Sequence, residues 1–153
     1  MTSPNRFIEH KTDINAPIDI VWKAIYDISD WKWNKWTRLE AEEAPAEGIK
    51  GKLKASYEGD DEWQTFEFTF GEVNPTNHTM IWFGEIGPSG CLFSGYHTMR
   101  LEVINANETR LIHTEKFAGI LPALGLGLPY GKLDRNYRLM NESLKTYVEQ
   151  GEL

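Results

Sequence analysis

The end of the chain carries one apolar stripe that the rest must cover. Between Gly119 and Gln150, Leu126, Tyr130, Leu133, Tyr137, Met140, Leu144 and Tyr147 recur at steps of four and three. That spacing puts them on one face of a helix, with Lys132, Asp134, Arg135, Arg138, Glu142 and Lys145 mainly elsewhere on the cylinder. Asp134 to Val148 contains neither Gly nor Pro, and the stripe is too short and too interrupted by charge to cross a membrane. Its most economical cover is a sheet from the same chain.

The preceding residues predict that sheet. Residues 6–14 alternate, with Ile8, His10, Thr12 and Ile14 on one side and Phe7, Glu9, Lys11 and Asp13 on the other. Asn15-Ala16-Pro17 opens a helix, capped by Asn15 or Ala16, with Val21, Ala24, Ile25 and Ile28 as its buried face. Ser29 or Asp30 is placed to cap a second short helix through Trp31, Trp33 and Trp36, an aromatic density too high for one narrow face, so some of these rings belong at a rim or in a pocket. From Thr37 to Phe117 the period changes to two. Strands are expected at 37–44, 51–58, 63–73, 78–86, 92–104 and 108–118, separated by breaks short enough for antiparallel hairpins. A seven-stranded sheet covering one long helix must curl around it, and Gly71 and Gly84 are expected bulge sites.

Several function classes are excluded. At 153 residues and 41% hydrophobic content, with no linker, repeat or low-complexity run, the expectation is one domain spanning 1–153. The start lacks an apolar signal segment, which makes a cytoplasmic protein without stable membrane insertion the default. A net charge of -7 and the absence of a Lys/Arg cluster argue against nucleic acid as a partner. Cys91 is alone, so neither a disulfide within the chain nor a thiolate zinc site is available. There is no P-loop, dinucleotide fingerprint or nucleophile motif. No cofactor is expected, and the chain is expected to be a monomer or weak homodimer.

The run Ile14-Asn15-Ala16-Pro17-Ile18-Asp19-Ile20-Val21-Trp22, followed by Asp27 and Trp33 to Trp36, resembles the opening of START-like domains. This is the Bet v 1-like, helix-grip (SRPBCC) superfamily, and the resemblance is strongest to its polyketide cyclase/dehydrase-like branch. Met80 and Trp82, Gly95-Tyr96-His97-Thr98, the Thr109 to Gly119 run and the closing Asn141 to Glu149 segment look like the same branch in the same order. The resemblance implies an α+β helix-grip fold: a curved seven-stranded antiparallel sheet around a long C-terminal helix, two short helices after the first strand, and an apolar cavity between sheet and helix. It implies a small hydrophobic ligand, lipid binding among its forms, and no single activity.

Strand parity nominates the residues that face the cavity. Arg110 and Lys116 seek water, which turns Leu111, His113, Glu115 and Phe117 inward. The same test turns His97, Met99, Leu101 and Val103 inward, together with Phe66, Phe68 and Phe70, and Met80 and Trp82. Trp36, Phe66, Phe68, Met80, Trp82, His97, Met99, Leu111, Phe117, Tyr130 and Tyr137 are the candidate ligand-binding set, offering apolar area with isolated polar groups. Many of these are equally readable as plain core.

Glu115 and His113 are the candidate catalytic pair, two residues apart on one strand face and so about 7 Å apart at the backbone. Two readings stand. They form an acid–base pair in an apolar wall, or Glu115 accepts structural hydrogen bonds from a neighbouring strand or the last helix, with Arg135 or Tyr137 as donor, while His113 fills space. His10 and His97 share the inner face, but no HxH or HxxxE spacing supports a metal, and none is expected. Gly125, Gly127, Pro129 and Gly131 cluster where the last stripe begins, so the helix is expected to start late, kink or open there. That segment is either an irregular connection or a gate over the cavity.

Overall fold

A computed structural model describes residues 6–151, so the two ends of the expected 1–153 span, including the first residues of the start, lie outside the described residues. The strands are β1 (Arg6–Ile14), β2 (Thr37–Glu40), β3 (Lys50–Ala55), β4 (Gln64–Asn74), β5 (Thr79–Ile86), β6 (Phe93–Asn105) and β7 (Glu108–Ala118). They form one antiparallel sheet in the order β1-β7-β6-β5-β4-β3-β2. Six strands meander, and β1 closes the far edge against β7. The helices are α1 (Ile18–Tyr26), the single turn α2 (Ile120–Ala123) and α3 (Tyr130–Glu149).

The sheet curls around α3, as its one-sided apolar face requires. A register shift between Phe70 and Val73 marks the bulge at Gly71, where a Cβ would stand 3.1 Å from Ile81. Gly84 was expected to bulge as well, yet it pairs in register with Gly95. Its missing side chain instead lets β5 lie close to β4, since a Cβ there would be 3.2 Å from the Glu67 carbonyl oxygen. Trp82, Phe70, Met80, Met99 and Leu111 from the sheet meet Met140 and Leu144 from α3 and Val21 and Ile25 from α1 in one core. Each such fully buried side chain contributes about 1.5–3 kcal/mol.

Four local expectations are corrected. The second short helix does not form beyond a single 3₁₀ turn at Ile28–Asp30. The side-chain oxygen of Asn34 accepts the backbone N–H groups of Trp36 and Thr37 at 3.0 and 2.9 Å, and this Asx turn replaces the next helical turn with the entry to β2. Trp31 and Trp33 sink into the core while Trp36 stays half-buried. At the first helix, Pro17 occupies the cap position without a side-chain cap, and the Asn15 N–H goes to Glu149 at 2.7 Å. Val103 is 62% exposed, because the end of β6 runs past its cover and shifts register before Asn105. Leu126 leaves the helical stripe: α3 begins only at Tyr130, after Gly125, Gly127 and Pro129, and Leu126 is exposed.

Candidate functional site

Between β3–β6 and α3 lies a cavity of about 360 Å³, within the range used for small-molecule sites. Its wall contains Trp36, Phe66, Phe68, Trp82, His97, Glu115 and Tyr137 from the candidate set, and adds Tyr57, Phe93, Leu121, Leu128 and Asn136. Met80, Met99, Leu111, His113 and Phe117 point inward as parity requires, but they are fully buried and do not line the wall. The inner face is longer than the cavity. Over part of it the space is filled by Met140 and Leu144 from α3, so side chains there are core rather than lining. Tyr130 lies beside the wall, its ring 5.1 Å from that of Phe117 and under the guanidinium of Arg6.

A continuous hydrogen-bonded chain runs from this wall into the core. The Tyr137 hydroxyl donates to Glu115 Oε1, and His97 Nδ1 meets the same oxygen at 3.1 Å. His97 Nε2 meets His113 Nε2, and His113 Nδ1 meets Asn141 Oδ1 at 2.7 Å. Asn141 Nδ2 donates to the His10 carbonyl at 3.2 Å and to Thr12 Oγ1 at 3.1 Å, so β1 fixes which way the amide points. Trp82 stacks on His97 with centroids 4.1 Å apart and planes at 15°.

The direction of the amide sets the protons along the chain. A carbonyl oxygen accepts only, so the Nδ2 of Asn141 faces His10 and its Oδ1 faces His113, which therefore carries hydrogen on Nδ1. Burial, then the neighbouring His97, push the His113 pKa well below the usual imidazole range and keep the ring neutral. Its Nε2 is then a lone pair, and His97 donates to it. His97 Nδ1 and Glu115 Oε1 are left sharing one proton, as imidazolium with carboxylate or as imidazole with carboxylic acid. Burial, then the Glu115 charge, raise Tyr137 well above the usual phenol range and hold it as a neutral donor.

Of the two readings of the pair, Tyr137 is indeed a hydrogen-bond donor to Glu115, whereas Arg135 turns away to the Tyr57 carbonyl and Glu58. His113 does not touch Glu115 directly; His97 stands between them. Asn141 escaped the sequence reading although its position was informative, four residues after Tyr137 and three before Leu144 on the buried stripe. A polar residue on that stripe signals a buried partner. His10, expected near the same face, is engaged instead by Asp134 on α3, with Nε2 at 2.6 Å from Oδ1. Among the described residues no cluster of three or more His, Cys, Asp or Glu is arranged to hold a metal.

A curved antiparallel sheet gripping a C-terminal helix, with a cavity between, defines the helix-grip or Bet v 1-like fold. Among solved structures, the chain is similar to Zhui aromatase/cyclase from a Streptomyces species, with TM-score 0.73 and 19% identity over 97% of this chain and 96% of that one. It is also similar to norcoclaurine synthase from Thalictrum flavum, in complex with dopamine and hydroxybenzaldehyde, with TM-score 0.68 and 12% identity over 96% and 88% of the two chains. Ara h 8.0201 gives TM-score 0.67 and 15% identity over 96% and 99%. At such identities the likeness establishes the fold alone. No protein-family model and no curated protein sequence matches the chain.

Proposed function

We propose that the chain is a single ligand-binding domain that binds or carries a small hydrophobic or aromatic molecule in the cavity between the sheet and α3. The observation that carries this reading is the cavity itself, about 360 Å³ with a largely aromatic wall and one buried carboxylate. Apolar area supplies affinity and the isolated polar group supplies orientation. A cytoplasmic location belongs to the same reading, and the net charge of -7 argues against anionic membrane surfaces and nucleic acid as partners. Among the described residues no helix is long and apolar enough to cross a membrane. The working assembly is a monomer or weak homodimer, with no cofactor. Native mass spectrometry of the protein purified from its own cells tests the reading. A retained small mass, lost on denaturation, is the expected result; bare protein that also binds no aromatic probe would overturn it.

A second reading, a cyclase- or dehydratase-type enzyme acting on a polyketide-like or other carbonyl substrate, is favoured by the shared proton between Glu115 and His97 at the cavity wall. Glu115 would exchange that proton with substrate, while His97, His113 and Asn141 hold its position. Glu115→Gln keeps the shape and removes the titratable group, so turnover should fall by about 10²-fold or more while binding survives. If Glu115 is structural, the same variant should lose about 1.5–3 kcal/mol of stability from its charge-assisted contacts. Unfolding without a selective rate effect counts against catalysis, and lost turnover with normal affinity and melting counts against a pure carrier.

A further inference from the structure

We infer that the cavity selects an uncharged aromatic compound bearing a hydroxyl group, and rejects anions. This rests on the reading of the cavity as a ligand site and specifies its chemistry. Both protein contacts of Glu115 use Oε1, from His97 and Tyr137. Its other oxygen, Oε2, has no protein donor among the described residues and faces the space left by the absent side chain of Gly95. A Cβ on Gly95 would stand 2.9 Å from Oε2 and 3.3 Å from the Phe93 ring. Glycine at this position therefore leaves Oε2, an acceptor that no protein donor uses among the described residues, uncrowded where it borders the cavity.

Charge decides the rest. The ionisable carboxylates on the wall are Glu67, Glu85 and Glu115, and no Lys or Arg lines it among the described residues. An anionic ligand would pass the Glu67 and Glu85 carboxylates and find no Lys or Arg on the wall to offset the loss of its hydration. Cations gain less than the three carboxylates suggest. Glu67 is exposed and paired with Lys52, Glu85 is exposed and accepts from Tyr96, and Glu115 already shares a proton with His97, so that pair carries no net charge in either form. A hydroxyl asks only for an acceptor, which Oε2 provides, while its aromatic body meets Trp36, Phe68 and Trp82.

A series with one aromatic body tests this by calorimetry at neutral pH: 2-naphthol, 2-methoxynaphthalene, 2-naphthoate and 2-naphthylmethylammonium. The expected order has 2-naphthol tightest, by about tenfold or more over 2-methoxynaphthalene for the loss of a hydrogen bond to a charged acceptor. Naphthoate should be weaker than both neutral probes. In Glu115→Gln the advantage of naphthol should shrink, with 2-methoxynaphthalene titrated on the same preparation to report an intact cavity. Gly95→Ala, which crowds Oε2 without removing it, should shrink the same advantage should the first variant fold poorly. Naphthoate binding as well as naphthol, the ammonium binding tightest, or methoxynaphthalene matching naphthol would each overturn the inference and leave the cavity reading standing. Binding of no probe in the series would remove both.

Discussion

His113 is a neutral imidazole held inside the protein, and that makes its protonation a stability variable. Its folded pKa lies well below its unfolded value, through burial first and His97 second. Below the unfolded pKa of about 6.5 the unfolded chain binds a proton that the folded chain does not. The contribution is therefore fully present above that pH and is lost as pH falls towards the depressed folded value. The slope from this group approaches about 1.4 kcal/mol per pH unit. His113→Asn retains a donor for Asn141 and removes the titration, so urea midpoints measured from pH 8 to pH 5 should fall less steeply in the variant. Parallel pH profiles for the two proteins would contradict a neutral buried His113. Asn141 acts through the same ring: Asn141→Leu leaves the Nδ1 hydrogen without an acceptor and should cost about 1–3 kcal/mol in the same unfolding experiment at pH 7.5.

The segment between β7 and α3 is only partly packed. Gly119, at φ 106°, turns the chain out of β7, and Gly125 and Gly127 take positive φ as well. Leu121 and Leu128 reach the cavity wall, whereas Ile120, Leu124 and Leu126 are exposed. The segment is thus part wall and part surface. α3 by contrast buries Leu133, Tyr137, Met140 and Leu144 along one face. Amide exchange should be faster for residues 120–129 than for residues 134–147, and an aromatic ligand should slow the first segment selectively. Equal protection in both, unchanged by ligand, would make this a fixed connection and remove the gate.

At the scale of the whole molecule, the cavity is a place where burial is incomplete until something fills it. An aromatic ligand that binds only the folded state adds about 2.7 kcal/mol at a free concentration one hundred times its Kd. For a domain of this size that corresponds to a rise in melting temperature of roughly 5–10 °C. Differential scanning calorimetry with increasing 2-naphthol should show that rise. A melting temperature independent of ligand up to its solubility limit would argue that the space between sheet and helix is not a site.

Periodicity was enough to place the seven strands, α1 and the body of α3, because each buries one face and the apolar residues must recur at the period of the element; it carried the stripe too far back, to Leu126, where the Gly/Pro cluster delays the helix to Tyr130. It also turned Glu115, His113, His97 and Trp82 inward, since parity on a strand is local. It missed the Asx turn of Asn34, whose side chain competes with the helix its neighbours would otherwise continue. Parity says which face a residue shares, not whether that face meets a helix or a void, so Met99, Leu111 and Phe117 looked like lining and are core. Likewise, two residues apart on β7, His113 and Glu115 read as a pair, but His97 from β6 stands between them because adjacent strands bring His97 opposite Glu115 and Met99 opposite His113. The sequence determined the elements and their faces through short-range spacing. Only tertiary structure decided where α3 leaves space and which nitrogen carries each proton, because both depend on groups brought together from opposite ends of the chain.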